Sequence, residues 1–229
     1  MTTIANNLQR VRERIAAACA SAQRDVTEVT LLAVSKTFSP DAVREAHAAG
    51  QVAFGENYIQ EAVEKAALLA DLPLRWHCIG PIQSNKTRLV ATHFDWAHTV
   101  DRLKTAQRLS DQRPPGLPPL QVCIQVNVDG GPTKAGVAPD EALALAREVA
   151  LLPRLKLRGL MSLPEPAPDF VAQKDLHMRT RSLFDQLRQA GVEIDTLSMG
   201  MTADLEAAIH AGSTMVRVGT AVFGGRTTS

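Results

Sequence analysis

Several things are scarce in this chain of 229 residues, and each scarcity excludes a class of protein. There are three cysteines, Cys19, Cys78 and Cys123, scattered and odd in number, with no Cys-x-x-Cys spacing. Neither a disulfide framework nor a zinc site is supported. Charge of one sign is lacking too. Lys and Arg together number 25 and Asp and Glu 24, a net charge of +1, so nothing calls for nucleic acid or an acidic membrane surface as partner. No apolar run approaches the length of a membrane span, and the N-terminus is amphipathic rather than continuously apolar. No Gly-rich dinucleotide fingerprint follows the first strand pattern. A reduced, cytoplasmic protein is the expectation. There is one tyrosine, Tyr58.

What is present is an alternation. Ile4, Leu8, Val11, Ile15, Ala18 and Ala22 recur at helical spacing and predict an amphipathic first helix, with its arginines on a solvated face. Short apolar runs then alternate with helical patterns. Strands are expected at Leu31 onward, Gln51–Phe54, Leu74–Ile79, Phe94–Val100, Leu120–Val128, Leu155–Met161, Ile194–Leu197 and Thr214–Val218. Helices are expected from Ser39-Pro40 to Gly50, Asn57 to about Ala70, Gln83–Ala91, Asp101–Ser110, Pro139 onward and Asp169–Ala190. A last one is capped by Thr202, Asp204 and Glu206. In the second of these, Asn57 and Gln60 have the spacing of a capping box. The Pro-rich stretch from Arg113 to Pro119 is read as a loop between units, because the alternation resumes unchanged beyond it. Eight strand–helix units after an extra N-terminal helix predict an α/β fold. It is a single (β/α)8 TIM-type barrel forming one domain over residues 1–229.

In such a barrel, chemistry sits where the strands end. Lys36 follows Leu31-Leu32-Ala33-Val34-Ser35 and so lies at that end of the first strand. One reading is a strand-end lysine whose stem packs and whose head reaches water. The other is a Schiff-base lysine, nucleophilic as the neutral amine. Small and hydroxyl residues follow strands seven and eight, at Ser198-Met199-Gly200 and Gly219-Thr220, where barrels commonly hold phosphate on backbone N–H groups. Arg217, inside the apolar run Met215–Val218, needs an internal ion pair or a ligand. A phosphate, an aldehyde for Lys36 and a ring nitrogen for Arg217 together describe pyridoxal 5′-phosphate (PLP).

Longer segments carry a resemblance. Val34-Ser35-Lys36-Thr37, Phe54-Gly55-Glu56-Asn57-Tyr58-Ile59-Gln60-Glu61 and Trp76-His77-Cys78-Ile79-Gly80-Pro81-Ile82-Gln83-Ser84-Asn85-Lys86 occur in order. So do Gln125-Val126-Asn127, Arg158-Gly159-Leu160-Met161, Leu197 to Met201 and Val216 to Gly224. In these the chain resembles the PLP homeostasis proteins of the YggS/PROSC type, over nearly its whole length. The resemblance implies a barrel of the alanine-racemase N-terminal-domain type (PLP fold type III), with PLP bound covalently at Lys36. It implies phosphate contacts from Ser198, Met199, Gly219 and Thr220, Arg217 facing the pyridine nitrogen, and Asn57 and His77 lining the pocket. From the residues alone, Asn57 reads equally as a helix cap and His77 as a core histidine. Gly130-Gly131-Pro132 departs from the family pattern before Thr133-Lys134, which leaves Lys134 without an assigned role.

The resemblance further implies a non-catalytic carrier that buffers or delivers PLP within the cell, monomeric, with PLP-dependent apo-enzymes as recipients and effects on amino-acid and keto-acid balance. An arginine opposite the pyridine nitrogen cannot accept the ring proton, which weakens carbanion chemistry. The alternatives are an amino-acid racemase of low activity, for which a base on each face of the α-carbon is required, and a Schiff-base aldolase taking a sugar phosphate.

Overall fold

A computed structural model describes residues 3–130 and 135–225. Lys134, together with Gly131, Pro132 and Thr133, lies outside the described residues. Eight parallel strands close into a barrel in sequence order, the eighth pairing with the first. They are β1 Thr30–Val34, β2 Ala53–Glu56, β3 Arg75–Cys78, β4 Trp96–Val100, β5 Leu120–Val126, β6 Leu155–Ser162, β7 Thr196–Ser198 and β8 Met215–Val218. The helices are α1 Ile4–Ser21, α2 Pro40–Ala48, α3 Ile59–Leu68, α4 Thr87–His93, α5 Leu103–Gln112, α6 Ala142–Ala150, α7 Phe170–Gln189, α8 Leu205–His210 and α9 Thr220–Phe223.

Alternation along each strand divides the side chains between two cores. The larger core lies between strands and helices; Ala33, Phe54, Cys78, Ala97, Val122, Leu160 and Val216 belong to it. The smaller one, Leu32, Ala53, Trp96, Cys123, Met161 and Met215, fills the barrel. Lys36 shares the inward parity of Leu32 and Val34, Asn57 that of Ala53, and Arg217 that of Met215. Ser35 and Glu56 have the opposite parity and face the helices.

The local elements follow their sequence signals. Ser39 caps α2 by accepting from the Ala42 N–H at 3.3 Å, with Pro40 at its first position. Asp169 caps α7 through the Ala172 N–H. Three expectations are corrected. Helix α4 begins at Thr87 rather than Gln83, because residues 83–86 form a turn closed by Lys86 N–H to Gln83 O. Strand β7 spans Thr196–Ser198, two residues short of its expected start and one beyond its expected end. Two of the three arginines of α1, Arg12 and Arg14, are anchors, while Arg10 stays on the solvated face. Arg12 donates to Ala49 O, and Arg14 makes a two-point bond to Glu206 and a third to Thr202 O. The Pro-rich loop is tied down by buried Arg113, which donates to Pro118, Ala91 and Phe94 carbonyls. Among the described residues no helix is long and apolar enough to cross a membrane.

Candidate functional site

At the C-terminal mouth of the barrel lies a cavity of about 330 Å³, lined by Lys36, Asn57, Ile79, Met161, Arg217, Gly219 and Thr220 among others. That volume falls in the range of roughly 300–1,000 Å³ typical of small-molecule sites. Lys36 arrives there on a turn after β1, closed by Phe38 N–H to Ser35 O at 3.1 Å. Thr37, next in the turn, has φ +66°. A β-branched residue in the left-handed region costs about 1–3 kcal/mol, a strain that persists only where surroundings enforce it. The Lys36 ammonium has no hydrogen-bond or ion-pair partner among the described residues, and the side chain is half-buried.

Arg217 enters from β8. Its Nη1 donates to Ser198 O at 2.6 Å and Ser198 Oγ at 2.8 Å, and its Nη2 to Ser162 O at 2.8 Å. Three of its five N–H bonds are thereby used, leaving Nε–H and one Nη2–H without a protein acceptor on a residue that lines the cavity. Burial pulls its pKa down to about 10, so the guanidinium stays charged at neutral pH.

Asn57 is not a helix cap. Helix α3 starts at Ile59 after Tyr58 with no side-chain cap, and Gln60 instead donates to Glu64. The Asn57 amide turns into the cavity, where its buried Oδ1 has no partner. Its backbone is held by Gly80: a Cβ on Gly80 would come within 2.1 Å of Asn57 O. Opposite, the backbone N–H groups of Thr202, Ala203, Gly219 and Thr220 have no acceptor among the described residues, and all four residues line the cavity. In the sequence Thr202 carries only the signal of a helix cap, and nothing marks Ala203.

The alanine racemase N-terminal-domain family model matches residues 3–227. The pyridoxal phosphate homeostasis protein of Pseudomonas aeruginosa is 60% identical over 226 residues, covering 99% of this chain and 97% of that one. Its namesake from Escherichia coli is 53% identical over 229 residues, covering 99% and 98%. This chain belongs to the pyridoxal phosphate homeostasis protein family. PipY of Synechococcus elongatus, 38% identical, covers 92% of this chain with all of its own. It superposes with TM-scores of 0.80 without PLP and 0.81 with PLP bound. An alanine racemase from Clostridium difficile, 15% identical and covered over 57% of its length, shares the fold at a TM-score of 0.75.

The residues present fit the cofactor that names the family. An unpartnered primary amine, an orphaned buried amide, four free backbone N–H groups and a buried cation surround one cavity. These groups match an aldehyde, a ring substituent, a phosphate and a ring nitrogen.

Three expected residues lie elsewhere. The Ser198 hydroxyl, fully buried, sits between Arg217 and His98 Nδ1 at 2.9 Å. The Met199 N–H is already given to Met215 O at 3.1 Å, and its side chain is buried. The loop residues that reach the cavity are Met201, Thr202 and Ala203. His77 is also one layer down. Its Nδ1 is 2.9 Å from His98 Nε2 and its ring stacks on Trp96 at 5.2 Å. Burial holds both imidazoles neutral, His98 pulled down to about 3 and His77 well below its ordinary value. His77, His98, Ser198 and Arg217 thus form one hydrogen-bonded chain through the barrel. No local pattern announces it, since His98 and Ser198 are 100 residues apart.

Proposed function

We propose that this chain holds PLP on Lys36 and serves intracellular PLP homeostasis, buffering the cofactor and releasing it to PLP-dependent apo-enzymes without catalytic turnover. In this reading the whole chain, residues 1–229, is one binding unit, monomeric and cytoplasmic. The observation that carries it is the Lys36 amine, unpartnered in a cavity where the Asn57 amide oxygen and the N–H groups of Thr202, Ala203, Gly219 and Thr220 also have no partner among the described residues. It is supported by membership of a family whose relatives are named for PLP homeostasis and by PipY, solved with PLP bound.

When bound, an aldehyde cofactor supplies reversible attachment: the amine nitrogen bonds to the aldehyde carbon and water leaves. The chain's own residues account for the rest. Thr202, Ala203, Gly219 and Thr220 offer N–H donors to a phosphate, the Asn57 amide meets a ring substituent, and Arg217 presents N–H to the ring nitrogen. Because a guanidinium only donates hydrogen bonds and cannot accept one from a protonated ring nitrogen, it favours the unprotonated ring, a poor electron sink. Ser198 and His98 act on Arg217 from below. Ser162 O fixes its other arm.

A low-activity racemase is the second reading, and the cavity argues against it. Its described lining holds Lys36 and Arg217 but no carboxylate, histidine, cysteine or tyrosine. Tyr58 is exposed beside α3 and is not among the lining residues. Two-sided proton transfer needs a second base there. Absorption spectra of the purified protein, before and after borohydride and beside a Lys36→Ala variant, test the assignment. A visible band that reduction abolishes and the variant never forms supports PLP on Lys36. A protein that stays colourless with added PLP overturns it. Robust turnover of any amino acid would overturn the carrier role.

A further inference from the structure

On the opposite face of β1 and β2 from the cavity, a second polar cluster grips the backbone on both sides of Lys36. The Lys65 ammonium on α3 donates to Ser35 O at 2.9 Å, Glu56 Oε1 at 2.6 Å and Glu61 Oε1 at 3.0 Å, which uses all three of its protons. The Ser35 hydroxyl donates to Glu56 Oε1 at 2.6 Å, and the Thr37 N–H to Glu61 Oε1 at 2.7 Å. The Ser35 carbonyl and hydroxyl on one side of Lys36 and the Thr37 N–H on the other are therefore bonded, while the Lys36 ammonium is left free. Lys65 is 3% exposed and the Glu56 side chain 0%, with Glu56 Oε2 buried and unpartnered. Burial pushes the Glu56 carboxyl up against the downward pull of Lys65.

An ion pair so deeply desolvated is a costly way to dock a helix, since apolar side chains of similar volume do that at least as well. What apolar side chains lack is direction. Acceptors and donors at chosen points are required to hold Thr37 at φ +66° and to fix the Ser35 carbonyl.

We propose that Glu56, Glu61 and Lys65 are positioning residues that lock the turn carrying Lys36, so that its amine is held towards the cavity before any ligand arrives. The proposal rests on the reading of Lys36 as the PLP-binding residue. The bond to Thr37 N–H is its most direct element, and Glu61 is the residue to change, because its side chain is one-third exposed and is not part of the cavity lining.

Three proteins are compared: the parent chain, Glu61→Ala and Glu61→Gln. The amide oxygen of glutamine still accepts from Thr37 N–H. At saturating PLP, Glu61→Ala is expected to form the borohydride-reducible Lys36 adduct about ten- to a hundredfold more slowly. It should also lose most of the visible circular dichroism of the bound chromophore. Glu61→Gln is expected to recover both to within about twofold, a rescue that general loosening of α3 would not produce. An alanine variant that matches the parent in rate and dichroism overturns the proposal, as does a glutamine variant no better than alanine. Amide exchange at Thr37, measured without PLP, separates this from failure of the PLP reading. If the parent takes up no PLP, that reading has failed. The lock itself then stands or falls on whether Thr37 exchanges at least about tenfold faster in Glu61→Ala than in the parent and Glu61→Gln.

Discussion

Gly80→Ala is the substitution that reads most directly on the cavity. Gly80 follows β3 and is not at positive φ, so alanine there meets no left-handed backbone penalty. The conflict is steric. Its Cβ would lie 2.1 Å from Asn57 O and 2.8 Å from Asn57 C and Cα, all backbone atoms. Relief to even 3.0 Å requires the two segments to part by about 0.9 Å. Overpacking of this kind costs about 1–3 kcal/mol, and a chain of this size loses roughly 2–4 °C of Tm per kcal/mol. A Tm lower by about 2–12 °C follows. The same displacement swings the Asn57 amide, and loss of one hydrogen bond or a misplacement near 1 Å weakens PLP binding by about 5- to 100-fold. Asn57→Ala separates the two effects. It removes the amide without moving the backbone, and because Oδ1 is already an unsatisfied buried acceptor, the ligand-free protein should keep or slightly raise its Tm while affinity falls. Thermal melts and PLP titrations of the two variants decide the matter. An unchanged Tm for Gly80→Ala refutes the close approach. A lowered Tm with full affinity in both variants refutes the role of Asn57.

Other perturbations follow from the same geometry. Lys65→Met strands a buried carboxylate at Glu56, at a cost of about 3–5 kcal/mol in urea denaturation; adding Glu56→Leu should return most of it, and additive losses would contradict the buried pair. Arg217→Lys cannot reach Ser162 O and both Ser198 oxygens at once. It should lose about 1.5–3 kcal/mol per charged bond surrendered, and an unshifted denaturation midpoint would refute that accounting of its three bonds. The neutral imidazoles of His77 and His98 take up protons only once the chain unfolds, so acid favours the unfolded state. Stability is expected to be whole above about pH 6.5 and to be lost as pH falls through the window down to about 3. A His98→Gln variant should show a shallower fall of Tm over that range, and a parallel curve would exclude the chain from the acid response.

How much of this was legible depends on distance along the chain. Lys36 could be placed because five residues of strand pattern and a Ser-Pro helix start bracket it, and Arg217 because a charge stood in an apolar run. Asn57 was ambiguous for a local reason: Asn-x-x-Gln is a cap signature, and only the packing of Gly80 shows that the amide belongs to the cavity. The loop after β7 failed by register. Ending that strand at Leu197 leaves Ser198 in the loop, whereas the observed end at Ser198 puts its hydroxyl inside the barrel and moves the accessible backbone on to Thr202 and Ala203. Glu61 and Lys65, at i and i+4, have the spacing of an ordinary surface pair. Glu56, at the end of a fully buried four-residue strand, was the signal that a cation must meet it.

The two polar clusters have a common logic in the alternation of strands. From the end of β1 onward, Val34, Ser35 and Lys36 have inward, outward and inward parity. Along β2, Gly55, Glu56 and Asn57 do the same, with Val34 and Gly55 in register. Adjacent residues therefore serve opposite faces, one set left unsatisfied towards the cavity and the other bonded towards α3. A one-residue slip of β2 against β1 would exchange the roles, turning the Glu56 carboxylate into the cavity and the Asn57 amide towards α3. Bonding outside is what allows incompleteness inside. Unpaired groups at Lys36 and Asn57 cost stability wherever they stand, and they keep a fixed geometry only if the turns that carry them are determined by contacts the ligand does not touch. Here those contacts lie at the Glu56–Lys65 pair and under Gly80.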